Sequence, residues 1–209
     1  MLNDKTALRS RLLAVRAERS PGQRQRAALA LGRRALELLP ERLPDGRPGV
    51  VAGYVSMGAE PGTHALLDAL RERGVRVLLP VLLEDNDLDW GVYEGADALV
   101  PARRGLREPG GARLGVQAVR GADLLLMPGL AVDRHGVRLG RGGGSYDRVL
   151  ERLAAGGSGG GPDRPRASLV TLLYDGEVLP HVPAEPHDRP VDAAVTPSKT
   201  YRFDGAAAR

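Results

Sequence analysis

Apolar residues near the start of the chain recur at helical spacing. Leu8, Leu12 and Val15 fall on one face of a segment covering about residues 4–19, with Asn3 or Asp4 as its cap. Ser20-Pro21 pairs a capping residue with a proline suited to the first helical position, and predicts a second helix to about Leu39. Pro40, Pro44, Gly46 and Pro48 then break the pattern and mark a linker. From Val50 onward the period changes. Residues 50–56 and 75–83 are short apolar runs, 122–127, 168–174 and 191–196 read as further strands, and 89–93 is a shorter candidate strand. Strands without polar alternation suit a parallel sheet covered on both faces. Between them lie a helix that Thr63 can cap and Gly74 ends, and another over about 145–153. This order predicts an α/β fold: three α/β/α layers with a mainly parallel sheet and helices on both faces. No internal repeat is visible. Residues 156–162 are almost all glycine and read as a flexible surface connection inside a small insertion that reaches Arg166.

A length of 209 residues fits one domain, 1–209. Apolar residues make up 42% and charged residues 27%, which excludes wholesale disorder, and aromatics at 3% leave the core to Leu, Val and Ala. Cysteine is absent, so disulfides, thiolate metal sites and a cysteine nucleophile are excluded. No apolar run is long enough to span a membrane, and the opening MLNDKTALRSR lacks the apolar stretch of a signal peptide. The expectation is a soluble cytoplasmic protein with no membrane partner. The net charge of +4 raises the question of nucleic acid. Of 30 basic residues all but Lys5 and Lys199 are arginines, scattered among 26 acidic ones with no basic tract. That pattern reads as solvated surface, so no nucleic-acid partner is expected.

The chemistry is concentrated in 127–148, MPGLAVDRHGVRLGRGGGSYDR, between a predicted buried strand and a helix. Open α/β sheets bind ligands just beyond the carboxyl ends of such strands. Gly140, Gly142, Gly143 and Gly144 let the backbone approach a ligand and turn N–H groups toward it. The helix that follows offers its positive N-terminus. Arg138 and Arg141 add charge suited to phosphate oxygens, and Asp147 could hold a magnesium ion between them. Glycines alone would describe only a flexible loop ending at a cap. Together with the arginines and Tyr146-Asp147 they describe a nucleotide-phosphate site. No Lys follows the glycines, so this is not a Walker A loop, and Ser145 stands where a GxGxxG fingerprint needs glycine.

This segment resembles the signature of the 5-formyltetrahydrofolate cyclo-ligase (5,10-methenyltetrahydrofolate synthetase) family. That signature has a strand ending in a Pro-Gly-Leu-Ala-Phe-Asp-like stretch, then Gly-x-Arg-Leu-Gly-x-Gly-x-Gly-Tyr-Tyr-Asp. Here the match runs Pro128-Gly129-Leu130-Ala131-Val132-Asp133, then Gly136-Val137-Arg138-Leu139-Gly140-Arg141-Gly142-Gly143-Gly144-Ser145-Tyr146-Asp147. Lys5-Thr6-Ala7-Leu8-Arg9, the Tyr54 to Glu60 segment with Thr63, Glu108-Pro109, Pro186-His187-Asp188 and Val191 to Pro197 are similar to further parts of the pattern. Val132 and Ser145 depart from it, each replacing an aromatic. At Ser145 a stacking contact is lost but the phosphate-binding backbone is kept.

The resemblance implies the fold called NagB/RpiA/CoA transferase-like. It also implies ATP- and Mg2+-dependent conversion of 5-formyltetrahydrofolate to 5,10-methenyltetrahydrofolate, by a monomer. It assigns Lys5, Arg9, Arg138, Leu139, Gly140, Arg141, Gly142, Gly143, Gly144, Ser145 and Tyr146 to ATP, with Arg138 and Tyr146 catalytic. Asp147 and Asp188 become magnesium ligands, and Val55, Met57 and Glu60 receive the folate. Without the resemblance, Lys5 and Arg9 read as a solvated helix face and Glu60 as an ordinary loop carboxylate. Trp90 could flank the folate or sit in the core. His64, His135, His181 and His187 show no metal-ligand spacing; His187 is a candidate for the site rim. The competing readings are a non-catalytic nucleotide-binding homologue, a sugar-phosphate isomerase-like enzyme that needs no ATP, and an RNA-binding module.

Overall fold

The computed structural model describes residues 2–39, 48–155, 166–185 and 188–203. The linker prolines Pro40 and Pro44, the glycine run 156–162 and His187 lie outside the described residues. In chain order the elements are α1 (Leu2–Ala17), α2 (Pro21–Leu36), β1 (Val50–Ala52), α3 (His64–Glu72), β2 (Arg76–Leu82) and β3 (Leu88–Val92). A hairpin follows, β4 (Leu99–Pro101) and β5 (Arg107–Pro109). Then come β6 (Leu124–Pro128), β7 (Ala131–Asp133), β8 (Arg138–Leu139), α4 (Ser145–Ala155), β9 (Ser168–Leu172), β10 (Val178–Leu179), β11 (Ala193–Val195) and β12 (Thr200–Arg202).

Seven strands form the main sheet in the order β12-β11-β9-β6-β1-β2-β3. The inner five are parallel, and the edge strands β3 and β12 run antiparallel to their neighbours. The pleat explains why the inner strands are largely apolar. Val51, Leu124, Leu126, Val170 and Leu172 point to one face, where α2 and α3 contribute Leu31, Ala35, Leu66, Leu67 and Leu70. Ala52, Leu125, Met127, Leu169 and Leu173 point to the other, against Val149 and Leu150 of α4 and Val119 of a short 3-10 turn. Alternate residues thus serve two cores, and polar side chains in the inner five strands are confined to exposed Arg76 and Ser168 at strand starts and buried Thr171.

The chain leaves β1 toward β2 on one side and returns to place β6 on the other. The strand order therefore reverses between β1 and β6, and a crevice opens at their carboxyl ends. A small sheet, β10-β7-β8, stands beside this point. Leu12 of α1 packs on it, against Leu130, Ala131, Leu139 and Val182.

The second helix has the cap that Ser20-Pro21 predicts. Ser20 Oγ accepts from Gln23 N–H at 3.3 Å and Gln23 Oε1 accepts from Ser20 N–H at 2.8 Å. Three local expectations are corrected. The first helix begins at Leu2, so Asn3 and Asp4 lie inside it rather than capping it. Val15 is 47% exposed, and the buried residues of that helix are Leu12 and Arg16. Thr63 does not cap α3 with its side chain. Its hydroxyl donates to the Tyr54 carbonyl at 2.7 Å and accepts from Ser56 N–H at 2.9 Å, and so closes the turn after β1.

Candidate functional site

The crevice holds a cavity of about 320 Å³, a size that suits a small molecule. Its two halves have opposite chemistry. One half is cationic and rich in backbone amides. Asp133 prepares it: its Oδ1 accepts from His135 N–H at 2.8 Å and Val137 N–H at 3.0 Å, folding the chain back so that β8 pairs antiparallel with β7. Arg138 is delivered to the cavity by this turn. Its Nη2 donates to Asp147 Oδ1 at 2.8 Å and its Nη1 to the Pro128 carbonyl at 3.2 Å, while its Nε is buried with no partner. Burial lowers the Arg138 pKa, against the opposing charges of Asp147 and Asp188.

The loop from Gly140 to Gly144 connects β8 to α4 along the cavity wall. Gly142 has φ +90, a conformation that a side chain would strain, and a Cβ there would approach the Arg9 guanidinium at 3.5 Å. Arg9 reaches the loop from α1, donating from Nε to the Gly140 carbonyl at 3.0 Å. The chain enters α4 at Ser145, which puts Tyr146 and Asp147 in its first turn.

The other half is largely apolar and comes from distant parts of the chain. Val55 and Met57 follow β1, Pro80 and Leu82 end β2, and Leu88 and Leu106 close the wall. Glu60 is the acid in this half. Its Oε2 accepts from Met57 N–H at 2.9 Å, and its Oε1 lies 3.5 Å from Arg141 Nε across the cavity. Tyr146 presents a buried hydroxyl with no partner. Burial and the nearby Glu60 raise its pKa, so it stays a phenol at neutral pH. Tyr54 is shifted the same way, by burial first and then by Glu60. Glu108 is a buried carboxylate whose Oε1 accepts from Leu82 N–H at 2.9 Å, tying β5 to the end of β2.

The donors available to a metal are hard carboxylate oxygens. Among the described residues no group of three or more His, Asp or Glu is gathered to hold an ion. Magnesium takes one or two carboxylates and leaves its remaining positions to phosphates and water. Asp147 has one oxygen on Arg138 and stands beside the loop. Asp188 lies between β10 and β11 and binds Lys5 at 2.8 Å.

A family model described as the 5-formyltetrahydrofolate cyclo-ligase family matches residues 1–197. The chain belongs to the 5-formyltetrahydrofolate cyclo-ligase family. A 5-formyltetrahydrofolate cyclo-ligase of Mycolicibacterium smegmatis is 44% identical over 154 residues, covering 71% of this chain and 74% of that protein. The one from Haemophilus influenzae is 32% identical over 189 residues, covering 88% and 92%. Among solved structures, the Aquifex aeolicus 5,10-methenyltetrahydrofolate synthetase superposes with TM-score 0.74 at 25% identity, covering 98% of this chain and 96% of the other. The Mycoplasma pneumoniae 5,10-methenyltetrahydrofolate synthetase, at 19% identity and TM-score 0.68, shares the fold.

In this cyclo-ligase family member the structure brings Val55, Met57, Glu60, Arg138, Gly140, Arg141, Gly142, Gly143, Gly144, Ser145, Tyr146 and Asp147 to one cavity. Leu139 differs from expectation, because its side chain turns into the core under α1. Lys5, Arg9 and Asp188 stand outside the cavity lining, and Arg9 reaches it through the Gly140 carbonyl. Trp90 is fully buried in the core, and His64, His135 and His181 are exposed. Tyr54 also lines the cavity, as do Pro80, Leu82, Leu88, Arg104, Leu106 and Arg107, which escaped the sequence reading. One backbone signal accompanies them: Arg104 has φ +58 and donates to Asn86, which has φ +66.

Proposed function

We propose that this protein closes the ring of 5-formyltetrahydrofolate, using ATP and magnesium, to give 5,10-methenyltetrahydrofolate, ADP and phosphate. We place it in the cytoplasm as a monomer, and among the described residues no helix is long and apolar enough to cross a membrane. The observation that carries the proposal is the two-sided cavity, in which Glu60 and an apolar wall face the glycine-arginine loop. The apolar wall suits a flat pterin. The Glu60 carboxylate can accept its N–H groups, and Arg138, Arg141 and the loop amides can hold phosphate oxygens.

The formyl oxygen is a poor leaving group until it is phosphorylated. Transfer of the γ-phosphoryl group to that oxygen makes it part of a phosphate. N10 then attacks the formyl carbon and loses its proton, and phosphate leaves with the C–O electron pair. No protein nucleophile is needed, so the absence of cysteine is no obstacle. The protein acts by positioning and by neutralising charge. Arg138 is suited to this because it is buried, is fixed by Pro128 and Asp147, and has Nε left to donate. The Tyr146 phenol can donate a hydrogen bond to a phosphate or formyl oxygen. Asp147 and Asp188 would hold magnesium, which when bound offsets the charge of the triphosphate. Lys5 would exchange Asp188 and Glu185 for a phosphate oxygen.

The test is absorbance of methenyltetrahydrofolate from purified protein with 5-formyltetrahydrofolate, magnesium and ATP. Turnover should require ATP and fall by about 10²–10³-fold in Arg138→Ala, as when one preorganised donor is removed. Folded protein that binds ATP without turnover would instead support a non-catalytic homologue.

A further inference from the structure

The mechanism leaves a buried ion pair unused. Arg16 sits on α1 beyond Arg9 and is only 1% exposed. Its Nε donates to Glu177 Oε1 and its Nη2 to Glu177 Oε2, each at 2.7 Å, in a forked pair. Nη2 also donates to the Gly129 carbonyl at 2.7 Å. Gly129 lines the cavity, and the preceding carbonyl, that of Pro128, accepts from Arg138. This branch ends on the phosphate half of the site.

A second branch ends on the folate half. Glu177 Oε2 also accepts from Tyr174 N–H at 2.7 Å. The Tyr174 ring lies under two guanidiniums, Arg19 at 4.2 Å and Arg16 at 5.6 Å from its centroid. The Tyr174 hydroxyl donates to the Glu60 carbonyl at 3.1 Å. Glu60 has no strand or helix of its own. It is held by its exchange of hydrogen bonds with Met57, by Arg141 Nε at 3.5 Å from its Oε1, and by this hydroxyl.

We propose that Arg16, Glu177 and Tyr174 form a positioning strut that sets the Glu60 carboxylate at a fixed place relative to the Arg138 loop. None of the three touches the reacting groups. Their role is to keep the acid that receives the folate from drifting away from the phosphate side. The inference rests on the proposed cyclo-ligase site.

Tyr174→Phe is the decisive variant. It keeps the ring and its cation contacts and removes only the bond to Glu60. The KM for 5-formyltetrahydrofolate, and its Kd by calorimetry, should rise about three- to tenfold, the worth of one buried hydrogen bond. The KM for ATP should stay within twofold and the Tm close to that of the unmodified protein. In an Glu60→Ala background no carboxylate remains to be positioned, so Tyr174→Phe should add nothing to the loss of folate affinity. A lower Tm with unchanged folate KM would overturn the proposal in favour of plain structural packing. Equal rises in both KM values, or full additivity with Glu60→Ala, would overturn it too. If the unmodified protein binds ATP but not 5-formyltetrahydrofolate, the cyclo-ligase reading fails and the strut fails with it.

Discussion

α1 carries two ion pairs to carboxylates far along the chain, and they are built differently. Near its start, Lys5 Nζ binds Asp188 at 2.8 Å and Glu185 at 3.1 Å, with the Lys5 and Asp188 side chains 14% and 15% exposed. Near its end, Arg16 and Glu177 form their fork with side chains 1% and 4% exposed. Burial would lower the pKa of both cations, but hydrogen bonds and charge from the partner carboxylates outweigh it and raise both. The difference lies in freedom. The Arg16 guanidinium is planar and holds three acceptors at once, so no partner can be exchanged without leaving a buried charge. Lys5 is a point charge on a flexible stem with water at its edge, and can trade one anion for another. One end of the helix is an anchor, and the other is a contact able to follow a ligand.

The largest expected effect comes from breaking the anchor. Arg16→Met leaves Glu177 buried and unpaired, and should cost about 3–5 kcal/mol in denaturant unfolding. Adding Glu177→Leu removes the stranded charge and should recover part of that loss; no recovery would mean that the bond to Gly129 matters more than the ion pair. Ser20→Ala, which removes a cap remote from both pairs, should cost about 1 kcal/mol with KM values unchanged. Lys5→Ala should cost at most about 1 kcal/mol of stability, yet weaken ATP binding measured by calorimetry. A stability loss as large as that of Arg16→Met would erase the contrast between the two ends.

The smallest effect is one of pH. The folded-state pKa of Lys5 lies above its ordinary value of 10.5. Its pairing therefore stabilises the fold fully below that value, and the contribution is lost as pH rises through the raised one. Unfolding midpoints measured on the alkaline side should fall less steeply for Lys5→Ala than for the unmodified protein.

The two halves of the cavity were not equally legible. Arg138 to Asp147 are contiguous, and the requirements of a phosphate loop are local: glycines, fixed cations and a helix start. The apolar half draws on Tyr54, Leu82, Leu88 and Leu106, whose types would serve any core. Only the Tyr54 to Glu60 segment carried a recognisable pattern there. Arg16 shows the limit most clearly. It follows Val15 on an amphipathic helix, and periodicity assigned Val15 inward. The structure buries Arg16 because a carboxylate, a carbonyl and a tyrosine ring wait for it, partners separated from it by more than a hundred residues. The short strands β7, β8 and β10 were invisible for a similar reason, since two or three residues carry no period.

What the residue order settled was local. Apolar runs named the central strands, Ser20-Pro21 named the start of α2, and the glycine-arginine loop named one wall of the cavity. Each depends on neighbours within a few positions, through dihedral preference, capping and side-chain alternation. The tertiary structure alone decided that β1 lies between β2 and β6, which opens the crevice. It also decided that Glu60 faces Arg141 there, and that Arg16 is the charge taken inside. Those outcomes depend on long-range packing and on the desolvation of paired charges, which are properties of the assembled chain rather than of any one stretch of it.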